Sequence, residues 1–321
     1  MIDLENNSNH NDFGEIDIRE VFSILFQGKK IIIFITGLIS IAGIIYSLLL
    51  PNIYESKALL APVEEDSSIS AALGNYGGLA ALAGISLPTV TKDSNSVKAI
   101  EMMGSLSFFE NNFLPKIFLP DLMAIDSWDH KSNTMIYDDD TFDISSNSWV
   151  REFSYPEKLI PSAQESFEKF EEDHFKLIED KTTGFVTLSV KHNSPFIAQK
   201  WVEIVVQEIN TFYRQKDKTQ GEETVAYLYE QMMKTTLSEI KEVTAELLQR
   251  EIQKLSLVEV NENYVFEYIY PPSVMEKKSE PLRILIVIIF LVLGIMLSVS
   301  IVLLKHYFFT DQKKDVEKVA S

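Results

Sequence analysis

The sequence predicts an α/β domain held between two transmembrane helices. Two uncharged runs, 31–50 and 284–304, lie near opposite ends of the 321-residue chain. At about 1.5 Å per residue, a helix of this length spans the roughly 30 Å hydrocarbon layer of a bilayer. Between them, strand-like alternation and helical spacing follow one another. We therefore expect a mixed sheet near the membrane, with helices packed on it and one long helix projecting from it.

Two other interpretations of the apolar runs are weaker. A core helix of a soluble protein rarely continues for so long without a polar face. A cleaved signal peptide has a shorter apolar region and ends in small residues, whereas PNIYES at 51–56 follows the first run. We expect the first run to be an uncleaved anchor.

Basic residues indicate the orientation of the two spans. Lys29 and Lys30 precede the first span, and Lys305 follows the second. Because basic residues stay on the cytoplasmic side, both termini are predicted to be cytoplasmic. Three basic residues within 277–283 lie on the other side, but long segments translocate largely regardless of charge. The segment 51–281 is thus predicted outside the cytoplasm.

These signals divide the chain into five predicted parts. They are a cytoplasmic tail with an amphipathic helix (1–30), a first span (31–50), a large α/β domain (51–281), a second span (282–304) and a second tail (305–321).

The amphipathic helix of the first tail is predicted from EIDIREVFSILFQGKK. Ile18, Val21, Phe22 and Leu25 recur at helical spacing, and Asp17 is a candidate N-cap. Two placements stay open: along the inner membrane surface, or as an extension of the first span.

The net charge of −18 excludes some classes of partner. Nearly all of the acidic excess falls within 51–281, whereas binding to nucleic acid or to anionic lipid headgroups requires basic patches. The chain has no cysteine, so no disulfide stabilises it. We expect no nucleic-acid partner.

Three separated segments of the large domain read as strands of one sheet: 53–60, 184–192 and 264–270. A helix with Pro195 in its first turn is predicted over 196–255. It is either continuous through Gly221, at about 90 Å, or broken there into a hairpin; both options stay open. The glycine-rich segment 69–88 fits no phosphate-binding loop, and is either a closely packed loop or a subunit contact.

No constellation of residues indicates catalysis. The five histidines show no metal-ligand spacing, and there is no G-x-S-x-G motif. YDDDTFD at 137–143 lacks the glycine and terminal glutamate of a calcium loop, and is typical of a solvated acidic loop. Trp128 and Trp149 flank it, for sugar stacking or for core packing. We predict that the protein is not an enzyme and has no cofactor or metal site.

Six stretches occur in an order that resembles a known family. They are EIDIREVFSILFQGKK, SLLLPNIYESKALLAP, GGLAALAGISL, HNSPFIAQKWVEIVVQEIN, YVFEYIYPP and EPLRILIVIIFLVLGIM. Together they resemble the Wzz-type polysaccharide co-polymerases, the O-antigen chain-length determinants of Gram-negative inner membranes.

The resemblance implies a periplasmic α/β base, a long projecting helix and a ring-like homo-oligomer in the inner membrane. It also implies partnership with a Wzy-type polymerase that acts on undecaprenyl-linked sugar repeats, and no glycosyl transfer by the protein itself. An export-side co-polymerase, which helps to transfer capsule or exopolysaccharide across the envelope, is the nearest alternative. A two-span sensor and an anchored hydrolase are more distant ones, since 305–321 is too short for an output domain and no catalytic motif is present.

Two groups of residues are predicted to couple the domain to the membrane. Pro271 and Pro272 end the last strand, and Pro281 suits the first turn of the second span, so 271–281 is expected to be stiff. Small residues at i and i+4 in each span allow two helices to pack closely, so that membrane lipid is excluded from between them. These residues are Gly43, Ser47, Gly294 and Ser298.

Overall fold

The structure is a computed structural model that describes residues 18–63, 95–234 and 238–319. The chain forms two compact units: Met1–Pro51 with Glu280–Ser321, and Asn52–Ser279. We call them the helical unit and the sheet unit. The proposed cap at Asp17 and the glycine-rich segment 69–88 lie outside the described residues.

The α-helices and strands are numbered in chain order. The α-helices are α1 (Ile18–Gln27), α2 (Lys29–Leu49), α3 (Asn95–Met103), α4 (Leu106–Phe108), α5 (Leu119–Met123), α6 (Ala163–Lys169), α7 (Pro195–Lys234), α8 (Ser238–Val260) and α9 (Arg283–Val319). The strands are β1 (Tyr54–Pro62), β2 (Ile125–Asp129), β3 (Thr134–Tyr137), β4 (Phe142–Asp143), β5 (Ser148–Trp149), β6 (Phe175–Glu179), β7 (Val186–His192) and β8 (Phe266–Tyr270).

The helical unit is built on α2 packed against α9. Within the described residues, Lys29–Leu49 and Arg283–His306 are the two helices long and apolar enough to cross a membrane. Most of their side chains are exposed rather than covered by the protein, which argues against helices of a soluble core. The pair fits the predicted two-span arrangement.

Helix α1 ends one residue before α2 begins. The amide of Gly28 donates to the carbonyl of Ile24 at 2.9 Å, so helical hydrogen bonding continues across the junction. Ile24 is buried, and α1 contacts α9. The chain therefore extends the first span with a turn at Gly28, which favours the second of the two placements left open.

One four-stranded sheet, in the order β6-β7-β1-β8, forms the base of the sheet unit. The three predicted strands are all in it, as expected. Every neighbouring pair is antiparallel, so the expectation of a mixed sheet is wrong. The chain reaches each neighbouring strand in the opposite direction, and no crossover returns a strand parallel to its neighbour.

Strand β6 follows a stretch whose apolar residues have helical spacing. α6 ends at Lys169, and one π-helical turn, Phe170–His174, leads into the strand. Leu177 pairs with Leu188 of β7. Pairing along the free edge of β7 outweighs the local helical pattern, since strand propensity depends strongly on context.

The core lies between one face of this sheet and the first half of α7. Leu60, Leu188 and Phe266 from the sheet are fully buried together with Trp201 and Ile209 of the helix. The buried side of the first half of α7 is therefore the side that faces the sheet. Phenylalanines from the 106–116 turns and from Phe170–His174 extend this core beyond the edge of the sheet.

The long helix α7 is continuous through Gly221 and ends at Lys234. The chain then returns as α8, which packs along the second half of α7. The hairpin alternative is thus right in kind, but α7 ends at Lys234 and α8 begins at Ser238, so the helix does not break at Gly221. Tyr229 of α7 and Val243 of α8 are more than half exposed in this hairpin.

Candidate functional site

The two candidate spans approach each other closely at Gly43. A Cβ atom added there would lie 2.5 Å from Cγ and 2.6 Å from Cβ of Phe290. Both distances are far below van der Waals contact, so a residue larger than glycine requires a shift of α9. Tyr46 packs beside the same ring, with centroids 6.0 Å apart.

Gly294 forms the matching contact on α9. Its added Cβ would lie 3.2 Å from Cα of Thr36 and 3.4 Å from Cβ of Ile39. The neighbour is backbone, which cannot turn away as a side-chain tip can. Gly37, in contrast, has nothing within 4 Å of an added Cβ. Glycine is required where the two helices approach, and at Gly37 it is not.

Hydroxyl groups lie along the same helix contact. Ser298 is fully buried, and its Oγ lies 3.3 Å from Oγ1 of Thr36. Among the described residues, the buried hydroxyls of Ser40 and Ser47 have no hydrogen-bond partner. The structure thus places Gly43, Gly294 and Ser298 at a contact between two helices of one chain.

The segment after β8 is fastened to the first strand. β8 ends at Tyr270, directly before Pro271 and Pro272, whose nitrogens cannot donate to a sheet ladder. Beyond them, Ser56 Oγ donates to the carbonyl of Ser273 at 2.9 Å, and the Ser279 amide donates to the carbonyl of Ile53 at 2.8 Å. The segment therefore follows β1 back to its beginning.

The chain enters and leaves the sheet unit at neighbouring positions. The ammonium group of Lys278 donates to Oδ1 of Asn52 at 3.0 Å. Asn52 and Lys278, at the two ends of the sheet unit, therefore lie side by side.

The position of Pro281 differs from the expected one. The helix α9 begins at Arg283, so Pro281 precedes its first turn by two residues. Its carbonyl accepts a hydrogen bond from the amide of Arg283 at 3.0 Å. Pro281 leads into the second span without being part of its helix.

The acidic stretch 137–143 forms turns instead of a cation site. Within the described part of the chain, no group of three or more His, Asp or Glu side chains is placed to hold a metal ion. Oδ2 of Asp138 accepts from Thr141 Oγ1 at 2.6 Å, and Oδ2 of Asp143 accepts from Ser146 Oγ at 2.6 Å. Hydrogen bonds from Ser146 and from neighbouring backbone amides lower the pKa of Asp143.

The two tryptophans beside this stretch are partly buried against aromatic neighbours. Trp128 packs edge-on against Tyr54, with ring centroids 5.5 Å apart, and Trp149 packs against Phe142 at 5.2 Å. Core packing describes both rings, and neither stands out as a free stacking platform.

Sequence reasoning missed a buried asparagine at the centre of the sheet unit. Oδ1 of Asn210 accepts from the amides of Val265 and Phe266 at 2.7 and 2.9 Å, and Nδ2 donates to the carbonyl of Phe266 at 3.0 Å. These bonds fasten α7 to the start of β8. The available signal was Asn210 itself, a polar residue among the apolar residues that recur at helical spacing in α7.

Residues 14–111 match the family model described as Wzz, chain length determinant protein. This part of the chain is similar to the Wzz family. The match confirms the resemblance inferred from the sequence, and it includes the first three of the six stretches. Among the described residues it includes α1, α2, β1, α3 and α4.

Two solved structures are also similar to this chain. One is a full-length bacterial polysaccharide co-polymerase, 12% identical, covering 92% of this chain and 99% of its own, with a TM-score of 0.40. The other is a fragment of WzzB, a polysaccharide co-polymerase from Salmonella Typhimurium, 14% identical, covering 71% of this chain and 100% of its own, with a TM-score of 0.26. Both superpositions are too loose to transfer structural detail to this chain. No protein of curated function matches its sequence.

Proposed function

We propose that this chain sets the length of lipopolysaccharide O-antigen, or of a related surface polysaccharide, without catalysing glycosyl transfer. The observation that carries the proposal is the match of residues 14–111 to the chain length determinant family. The protein acts as a homo-oligomeric scaffold in the bacterial inner membrane. It works with a Wzy-type polymerase on undecaprenyl-linked glycan.

The proposed topology places both termini in the cytoplasm and the sheet unit in the periplasm. The antiparallel contact of α2 with α9 supports it, since two adjacent spans return the chain to its starting side. The neighbouring positions of Asn52 and Lys278 support it too, because both ends of the sheet unit must then reach the same membrane surface.

In the proposed mechanism, movement passes between the sheet unit and the two spans. It is transmitted by the segment 271–281 and by the helix contact at Gly43 and Gly294. The hydrogen bonds that hold the segment 273–279 along β1 support this role, since they tie the last residues of the sheet unit to its first strand. The glycan length then depends on how firmly the two helices are held together.

Deleting the gene and resolving the surface polysaccharide on a gel tests the function. We expect the modal length distribution to be lost and restored by the unaltered gene. Retention of polymer inside the cell, with normal lengths, would support the export-side alternative instead.

Cysteine labelling tests the topology, because the natural chain has no cysteine. Tyr155 is 92% exposed in the sheet unit, and Lys305 is exposed at the end of the second candidate span. We expect Tyr155→Cys to react with a membrane-impermeant maleimide in cells with a permeable outer membrane. Lys305→Cys should react only after the inner membrane is opened, and the reverse pattern would refute the topology.

A further inference from the structure

Two buried histidines share one tryptophan in the sheet unit. His192 is 1% exposed and lies 4.8 Å from the ring of Trp201, and His174 is 8% exposed and lies 5.5 Å from it, measured between centroids. The two imidazoles are 5.8 Å apart. Neither histidine belongs to the proposed coupling site, and the inference below is independent of the proposed function.

Both nitrogens of His192 are engaged in the neutral form. Nε2 lies 3.0 Å from the carbonyl of Asp121, to which it can only donate. Nδ1 accepts the backbone amide of Ser194 at 2.9 Å. Protonation would place a second N–H on Nδ1, facing the Ser194 N–H, so the charged ring cannot keep both hydrogen bonds.

His174 has the opposite tautomer. Its Nδ1 lies 2.7 Å from the carbonyl of Lys191 and must donate to it. His192 therefore carries its proton on Nε2, and neutral His174 carries it on Nδ1. The same strand end, Lys191 and His192, is held by both rings.

His192 marks the junction between sheet and long helix. It is the last residue of β7, and α7 begins three residues later at Pro195. The carbonyl of Ser194 accepts the amide of Ala198 at 3.0 Å, as the first hydrogen bond of the helix. Losing the His192–Ser194 bond therefore loosens the first turn of α7.

Among the residues that the structure describes, the charged and titratable groups around the junction include no carboxylate hydrogen-bonded to His192. On the facing elements they are His174 in its π-helical turn, Tyr54 across the strand pair, and Asp121 in α5, whose carboxylate accepts the hydroxyl of Tyr137. Lys200 acts on Asp121, and Asp173 and Lys169 act on His174. Burial, together with the smaller effect of the charge on His174, lowers the pKa of His192 to about 3, against the opposing hydrogen bonds with Asp121 and Ser194.

We propose that His192 is an acid-sensitive joint, whose protonation detaches the first turn of α7 from the sheet before the sheet unit unfolds. The hairpin α7–α8 then loses its fixed angle to the base. A neutral hydrogen-bonding residue at this position removes the sensitivity.

The first test reads the tautomers directly. Full-length protein in nanodiscs, labelled with ¹³C and ¹⁵N only at its five histidines, gives few imidazole signals to assign with His174→Gln and His192→Gln. At neutral pH we expect the Nε2–H tautomer at His192 and the Nδ1–H tautomer at His174. A His192 signal that titrates near pH 6.5, like an exposed histidine, overturns the proposal.

The second test follows hydrogen exchange of the backbone while the pH is lowered. We expect faster exchange in 194–200 than in the sheet strands, at a pH above that of global unfolding. In His192→Gln the onset should move to lower pH by about one unit or more, whereas His174→Gln should retain it. An unchanged onset in a folded His192→Gln, or exchange of helix and sheet at the same pH in the unaltered protein, refutes the joint. If His192→Gln does not fold, the tautomers and the exchange of the unaltered protein decide.

Discussion

The ring of Phe290 lies directly on the backbone of Gly43. An added Cβ atom would lie 2.5 Å from Cγ of Phe290. A Cβ atom added at Gly28, at the end of the pair that is proposed to lie nearer the cytoplasm, would be at the same distance from Cγ1 of Val302. At Gly294 the relation is reversed, because α2 supplies the larger residue, Thr36. The two helices therefore fit by exchanging small and large residues along their contact.

Substituting Gly43→Leu should separate the helices, since four extra carbon atoms must displace Phe290. A matched control is Gly37→Leu in the same helix, where the added side chain meets open space. Cysteines replacing Thr36 and Ser298, whose oxygens are 3.3 Å apart, report the contact by forming an intramolecular disulfide. We expect oxidation to form this disulfide with Gly37→Leu and to fail with Gly43→Leu.

The same pair of variants tests the link to function. At equal protein levels in the membrane, Gly43→Leu should change the glycan length distribution and Gly37→Leu should not. Equal effects of both variants would indicate that added side-chain volume in α2 changes the glycan length whether or not the Phe290 contact is disturbed.

Changing Pro281→Ala together with Gly294→Leu is expected to leave the protein made and inserted but to alter glycan lengths. The physical reason is that one change relaxes the segment before α9 and the other opens its contact with Thr36. The measurement is the length ladder on a gel, beside an immunoblot of the membrane fraction. An unchanged ladder would remove these residues from the coupling mechanism.

Gly221→Ala tests why a glycine lies within the long helix. Its added Cβ would lie 2.6 Å from Cδ2 of Leu255, so alanine pushes α8 away from α7. Alanine also favours a helix by about 1 kcal/mol over glycine, which opposes the clash. In a Leu255→Ala background the clash is gone, and Gly221→Ala should become stabilising by up to about 1 kcal/mol.

Chemical unfolding of the four proteins of this cycle, followed by circular dichroism, gives the coupling free energy between the two positions. A coupling near zero would show that Leu255 can move aside without cost, and that Gly221 is not needed for close packing.

Replacing Asn210→Leu should destabilise the sheet unit by about 2–4 kcal/mol. The change leaves two buried amides and one carbonyl of the β8 start without partners, at roughly 1–3 kcal/mol for a group left unsatisfied. The midpoint of thermal unfolding is the readout. Asn210→Asp is the partial control, since it can accept both amides but cannot donate to Phe266; a Leu variant as stable as the native protein would contradict the argument.

The sheet unit should become less stable as the pH is lowered, because its buried histidines are neutral in the folded state. The pKa of His192 is about 3 when folded against 6.5 for the free side chain, so the unfolded chain takes up a proton first. The contribution is complete above about pH 6.5 and is lost as the pH falls toward 3, at on the order of 1 kcal/mol per pH unit. Burial lowers the pKa of His174 in the same direction.

Asp121 works against this trend. Burial raises its pKa, so the folded state gains a proton more readily and is favoured as the pH falls through the raised value toward 3.8. Unfolding midpoints between pH 7 and 4.5 should fall in the unaltered protein and more shallowly in His192→Gln. Parallel curves for the two proteins would contradict the assignment to His192.

Local patterns were sufficient for the two spans, the three strands and the start of α7 at Pro195. The length of an apolar run and the period of a side-chain pattern depend only on neighbours in the chain, and both are legible before any tertiary contact is known. The resemblance carried by the six sequence stretches was legible for the same reason.

The tertiary structure alone decided how these pieces are joined. The return of the chain after Lys234, the recruitment of β6, and the uniformly antiparallel sheet depend on which free edge or face a segment meets. Gly43 lies against Phe290, Gly221 lies against Leu255, and His192 bonds to Asp121. These partners are 247, 34 and 71 residues away in the chain. A glycine or histidine looks the same in sequence whether its neighbour is solvent or a buried side chain, so only packing between distant segments gives these residues their roles.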